Sequence, residues 1–142
     1  MFSKRQLELL LSLSTARDFN EGMVIGLQRV ILDGWNPRLV GVYTHTLEQA
    51  IERLERQLKL IETVYKDNPI SEDMRLEHLY VLFEITNKRE LTMDMRKAVI
   101  ERVINNKKYK DITAKYPLHR QSISLAVNRL KEKHLKIKEE YS

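Results

Sequence analysis

His119, Arg120, Gln121, Ser124, Leu125 and Asn128 are the side chains left over when the apolar residues of YKDITAKYPLHRQSISLAVNRLK, residues 109 to 131, are assigned to a core. Their types suit one chemistry in particular, the reading of base edges. Arg makes a two-pronged hydrogen bond with guanine, Gln and Asn do so with adenine, and Leu125 offers a methyl contact to thymine. Seven cations flank this row, with Lys107, Lys108, Lys110 and Lys115 before it and Arg129, Lys131 and Lys133 after it. They are candidate phosphate ligands. The same composition also suits a solvated, charged helix hairpin, so the elements that carry the residues must decide.

Ile112, Tyr116, Leu118, Ile123 and Ala126 are separated by four, two, five and three residues. That spacing puts Ile112 and Tyr116 on one helix face and Ile123 and Ala126 on another, with Leu118 at the corner. Small Thr113 lets the two helices approach. Pro117 holds Tyr116 extended and ends the first helix there, and His119-Arg120-Gln121-Ser122 opens the second. The result is the pattern of a helix-turn-helix, with Pro117 where such turns usually prefer Gly. In that motif the N-terminal part of the second helix enters the major groove, so with Ile123 buried the polar row faces outward.

Charge and composition agree with this. The net charge is +5, with 42% hydrophobic and 32% charged residues, the profile of a globular chain and not a disordered one. Residues 1 to 70 hold nine Lys/Arg and nine Asp/Glu, whereas residues 71 to 142 hold sixteen and eleven, so the whole excess lies in the second half. A polyanion should engage that half. No run of 18 apolar residues and no signal-peptide pattern is visible, which predicts a cytoplasmic protein without a membrane partner. With no cysteine, disulfides, thiolate catalysis and zinc-finger chemistry are ruled out. Four histidines, His45, His78, His119 and His134, are scattered in sequence without metal-ligand spacing, and no Gly-rich phosphate loop occurs. Carboxylate pairs such as Glu52 and Glu55, or Glu72 and Asp73, suit salt pairing on charged faces. The expectation is a non-enzyme without cofactor or metal.

The pattern around the motif occurs twice. Arg29-Val30-Ile31 repeats as Arg102-Val103-Ile104 and Tyr43 as Tyr116, both at an offset of 73. Ala50-Ile51-Glu52-Arg53-Leu54 matches Ala126-Val127-Asn128-Arg129-Leu130 at an offset of 76. Leu47, Ile51, Leu54, Leu58, Ile61 and Tyr65 step in parallel with Ile123, Val127, Leu130, His134, Ile137 and Tyr141. Amphipathic helices resemble one another, yet the matched steps and strings together predict an internal duplication. The three-residue shift falls between Tyr43 and Ala50, where THTLEQA replaces PLHRQSISLA. The first copy therefore lacks the Arg-Gln-Ser segment and carries Glu48 in its place. It reads as a scaffold or dimerisation element, although His45, Thr46 and Gln49 keep a weak DNA contact open.

The fold class expected is all-α, a tandem duplicated helix-turn-helix. Helices are predicted near 3 to 15, 19 to 32, 37 to 43 and 46 to 66 in a first half (1 to 68), and near 72 to 87, 92 to 106, 109 to 115 and 119 to 139 in a second (69 to 142). Asp33-Gly34 ends the second helix, Asn36-Pro37 reads as an N-cap and first-turn proline, Asp67-Asn68-Pro69 as the boundary, and Ser71 as an N-cap.

Residues 79 to 133, from LYVLFEITNKRE to NRLKEK, resemble the PapB/FocB-type fimbrial adhesin regulators and, more distantly, the KorA/TrfB-type plasmid repressors. The likeness rests on an aromatic-aliphatic opening helix (Leu79, Tyr80, Leu82, Phe83, Ile85), a following amphipathic helix ending in RVINN, and K-D-I-x-x-K-Y with a recognition helix ending N-R-L. The order recurs more loosely over residues 2 to 58. The resemblance implies an oligomeric transcription regulator that binds double-stranded DNA through His119, Arg120, Gln121, Ser124 and Asn128 and the basic flank. Two copies in one chain depart from those single-domain proteins, and the first copy could stand in for a partner subunit. A homodimer is the assembly expected. The alternative is a small helical adaptor or inhibitor, of phage or plasmid type, that engages a polymerase or another regulator.

Overall fold

The first free amides of a helix need acceptors, and the sequence supplies them locally. Ser3 Oγ accepts from Gln6 N–H at 3.1 Å while Gln6 Oε1 accepts from Ser3 N–H at 2.9 Å, a reciprocal cap. Asn20 Oδ1 accepts from Met23 N–H at 2.8 Å, and Thr92 Oγ1 from Met95 N–H at 3.3 Å. These caps open three of the helices in the computed structural model, which describes residues 2–14, 19–41, 44–66, 70–86 and 89–141.

Among the described residues there are seven α-helices, one 3-10 turn and no strand, so the chain is all-α. In order they are α1 (Lys4–Leu13), α2 (Glu21–Ile31), the 3-10 turn (Pro37–Leu39), α3 (Thr44–Tyr65), α4 (Leu76–Ile85), α5 (Met93–Val103), α6 (Tyr109–Lys115) and α7 (Arg120–Tyr141). Helices α1, α2 and α3 have 10, 11 and 22 residues, and α4, α5 and α7 have the same 10, 11 and 22. None of the described helices is long and apolar enough to cross a membrane.

Two expectations need correction. The helix predicted over 37 to 43 shrinks to the 3-10 turn Pro37–Leu39, because Gly41 takes φ 79°, a left-handed conformation that stops propagation. Asn36 still caps it, its Oδ1 accepting from Arg38 N–H at 3.1 Å. The helix predicted from residue 72 begins instead at Leu76. Ser71 Oγ is used by a local turn, accepting from Asp73 N–H at 3.1 Å, and His78 Nδ1 accepts from Arg75 N–H at 3.0 Å. Tyr43 and the boundary tripeptide Asp67-Asn68-Pro69 lie outside the described residues.

The chain divides into two compact units, Met1–Thr63 and Val64–Ser142, the division falling in the last turn of α3. In the first, Leu7, Leu10, Leu27, Leu47, Leu54 and Ile61 are fully buried. In the second, α7 packs against α4, α5 and α6, and α5 packs against α4 and α6. Its core holds Leu79, Leu82, Ala98, Val99, Ile112, Ile123, Leu130 and Ile137. Each such side chain contributes about 1.5–3 kcal/mol by leaving water if it is a large aliphatic.

Three rings complete that core. Tyr65, His78 and His134 are fully buried, with the His78 centroid 4.7 Å from each of the other two. His134 Nε2 donates to the Ser71 carbonyl at 2.9 Å, so its Nδ1 accepts from the Tyr65 hydroxyl at 2.7 Å. His134 holds its neutral form in that arrangement. Histidines dispersed in sequence thus meet in space, as stacked core residues.

Candidate nucleic-acid interface

The site is built where α5 ends. After Val103 the chain turns back through Asn106 at φ 53°, a left-handed conformation Asn tolerates better than most residues. The reversal lets Lys107 N–H donate to the Glu101 carbonyl at 3.0 Å and starts α6 at Tyr109. Thr113 Oγ then donates to the Tyr109 carbonyl at 2.9 Å.

Helix α6 spans the seven residues expected, and Tyr116 leaves it at φ −117° and ψ 144°, the extended state that Pro117 imposes. Leu118 N–H donates to the Tyr116 carbonyl at 2.8 Å, closing a tight turn centred on Pro117. The His119 carbonyl accepts from Ile123 N–H at 3.1 Å, and α7 begins. Ile112 and Ile123 are fully buried on the two sides of this corner, while Tyr116, Leu118 and Ala126 are half-buried.

With 100° between successive residues, Gln121, Leu125 and Asn128 form a stripe opposite Ile123, Leu130 and Ile137. All three are exposed, Leu125 by 51%. Arg120, Ser124 and Lys131 run along one flank of the stripe, with Arg120 and Lys131 exposed and Ser124 half-buried. On the other flank Ser122, Leu125 and Arg129 line a groove of about 240 Å³ floored by Leu91 and Met95. His119 is exposed at the start of the helix. The structure therefore brings five of the six outward residues of the sequence pattern together on the N-terminal half of α7, with His119 immediately before it.

The flanking cations are of three kinds. Lys108, Lys110, Arg129 and Lys131 are exposed and have no acidic partner among the described residues. Lys107 and Lys115 both donate to Glu101 Oε1, at 3.3 and 2.9 Å. The hydrogen bond from Lys115 in particular holds the Glu101 carboxyl below its usual range, and the same bond raises Lys115. Lys133 is half-buried and donates to Thr86 Oγ at 3.1 Å.

Arg120 is also pre-positioned. Its guanidinium lies 5.0 Å from the Tyr109 ring centroid, and that of Arg102 lies 4.2 Å from the same ring. Arg102 Nη1 in turn donates to the Lys107 carbonyl at 3.0 Å. Glu101, Arg102 and Tyr109 were not among the residues the spacing singled out. A carboxylate just ahead of a run of lysines, and an aromatic bracketed by arginines one helix apart, are the signals that point to them.

Chemically the surface offers a row of donors and acceptors able to pair with planar edges, bordered by cations. Among the described residues no group of three or more His, Asp or Glu is arranged to hold a metal ion. No protein-family model matches the chain, and no curated protein or solved structure does so either.

Proposed function

We propose that the chain is a sequence-specific DNA-binding transcription regulator whose second unit reads duplex DNA with a helix-turn-helix formed by α6 and α7. The observation that carries this reading is the exposed row Arg120, Gln121, Leu125 and Asn128, with half-buried Ser124 beside it, which begins at the N-terminus of a helix whose opposite face is anchored by Ile123 and Leu130. In this role α6 crosses the phosphate backbone and the first turns of α7 enter the major groove. The basic balance of the second half and the resemblance to the PapB/FocB-type regulators point the same way.

The first unit is a related helical repeat that has lost its reader and serves as scaffold or as a dimer contact. Matching helix lengths of 10, 11 and 22 residues support a duplication, in which the third helix differs, with seven residues in the second unit against a three-residue turn in the first. The working assembly is a cytoplasmic homodimer.

Selection of bound duplexes from a random pool by gel shift, with mass measurement of the protein, tests both points. An enriched sequence with dimer mass is the expected result; failure to retain any duplex at low salt overturns the reading. Arg120→Ala should cost about 1–3 kcal/mol on the selected duplex and leave the fold intact.

A second reading, a protein-interaction adaptor, draws on the first unit, where Leu32, Trp35 and Leu39 are exposed, Leu39 by 72%. Salt-insensitive capture of a protein partner, with no duplex binding, distinguishes it.

A further inference from the structure

Two ammonium groups and one carboxylate meet at the junction of α5 and α6, and their exposure is uneven. The Glu101 side chain is 10% exposed, whereas those of Lys107 and Lys115 are 48% and 60% exposed. The anion lies beneath and the cations lie at the surface. Both lysines share Oε1, while Oε2 is buried without a hydrogen-bond partner. A carboxylate retained only to hold the fold together would gain by satisfying both oxygens. This one instead does to two lysines what a phosphate oxygen would do.

We propose that Glu101 is a specificity-determining residue: it occupies Lys107 and Lys115 and so withholds them from sequence-independent contact with the phosphate backbone. This rests on the DNA-binding reading above and adds to it which cations work. Both ammonium groups are directed at the carboxylate, so neither is offered to a phosphate. Lys108, Lys110, Arg129 and Lys131 make the phosphate contact, and binding to arbitrary duplex stays weak relative to binding that engages the α7 row. Because specificity is the gap between the two, a residue that lowers only the sequence-independent affinity raises it.

Glu101→Gln keeps the shape and removes the charge. On a random-sequence duplex at about 0.1 M salt it should bind about three- to tenfold more tightly than the parent, with the slope of log K against log salt steeper by about one. On the selected duplex the gain should be smaller, so the ratio of the two affinities falls; equal gains on both duplexes overturn the proposal. Lys107→Gln should weaken random-duplex binding at least about threefold in the Glu101→Gln background and less than about twofold in the parent, a coupling that unrelated charge changes do not produce. A slope unchanged by Glu101→Gln while the parent binds duplex overturns this proposal alone. Failure of both proteins to bind at low salt overturns it together with the proposed function. Binding of the random duplex by the variant and not by the parent, with the parent still retaining the selected duplex, supports the proposal.

Far-UV circular dichroism reports whether Glu101→Gln folds. If it does not, Lys107→Gln and Lys115→Gln, made singly, should each leave the salt slope of the parent unchanged, whereas Lys108→Gln lowers it by about one. Equal effects of all three overturn the proposal.

Discussion

Tyr109 shows how one side chain ties the fold to the exposed face of α7. Arg102 from α5 and Arg120 from α7 both lie against its ring, so in the proposed DNA-binding role the Arg120 guanidinium is held before any duplex engages it. Prior positioning reduces the entropy lost on binding. Each such contact at a surface is worth about 0.5–1 kcal/mol. Losing the Arg120 contact, Tyr109→Leu should therefore reduce affinity for the selected duplex by about two- to fivefold while leaving random-duplex affinity nearly unchanged, as read by titration of the two duplexes in parallel. Equal losses on both duplexes would reduce Tyr109 to a structural role.

At the scale of elements, the corner between α6 and α7 was legible because its determinants are local. Pro117 sets the conformation of Tyr116, and the spacing of Ile112 and Ile123 sets the two buried faces; both follow from adjacent residues. The groups that tune the corner were hidden for the opposite reason. Glu101 meets Lys115 across 14 residues, and only because Asn106 reverses the chain between α5 and α6. Nothing in the string Glu101-Arg102-Val103-Ile104-Asn105-Asn106 fixes which lysine the carboxylate will take. The short turn at Pro37–Leu39 eluded the spacing argument similarly, since Asn36-Pro37 starts a helix well and Gly41 then stops it. Asn106→Ala removes the residue suited to the left-handed reversal and should cost about 1–2 kcal/mol in urea unfolding. It should also loosen Lys107 from Glu101, visible as a rise of the Glu101 carboxyl toward its ordinary range in NMR titration.

At the scale of the whole molecule, the buried rings make the second unit sensitive to acid. Burial, with the charge of His134 adding to it, pulls His78 down to about 4 from the ordinary imidazole value of 6.5, and burial also lowers His134. Both are neutral when folded and protonate once released, so between about pH 6.5 and 4 the unfolded chain binds more protons. Stability should fall as pH drops through that window and be independent of these groups above it. Thermal unfolding followed from pH 8 to 4 should show the loss, and a flat profile would contradict it. The His134 bond from Tyr65 has a consequence for where the second unit begins. Its core takes in the last turn of α3, upstream of the Asp67-Asn68-Pro69 segment that looks like a linker. A fragment starting at residue 69 leaves His134 Nδ1 without its donor and opens a cavity the size of a tyrosine ring. A fragment starting at Val64 keeps the ring set whole. The shorter piece should express as an unstable or aggregating product and the longer one as a cooperatively melting unit, so the smallest heritable module here carries five residues that belong by sequence to its neighbour.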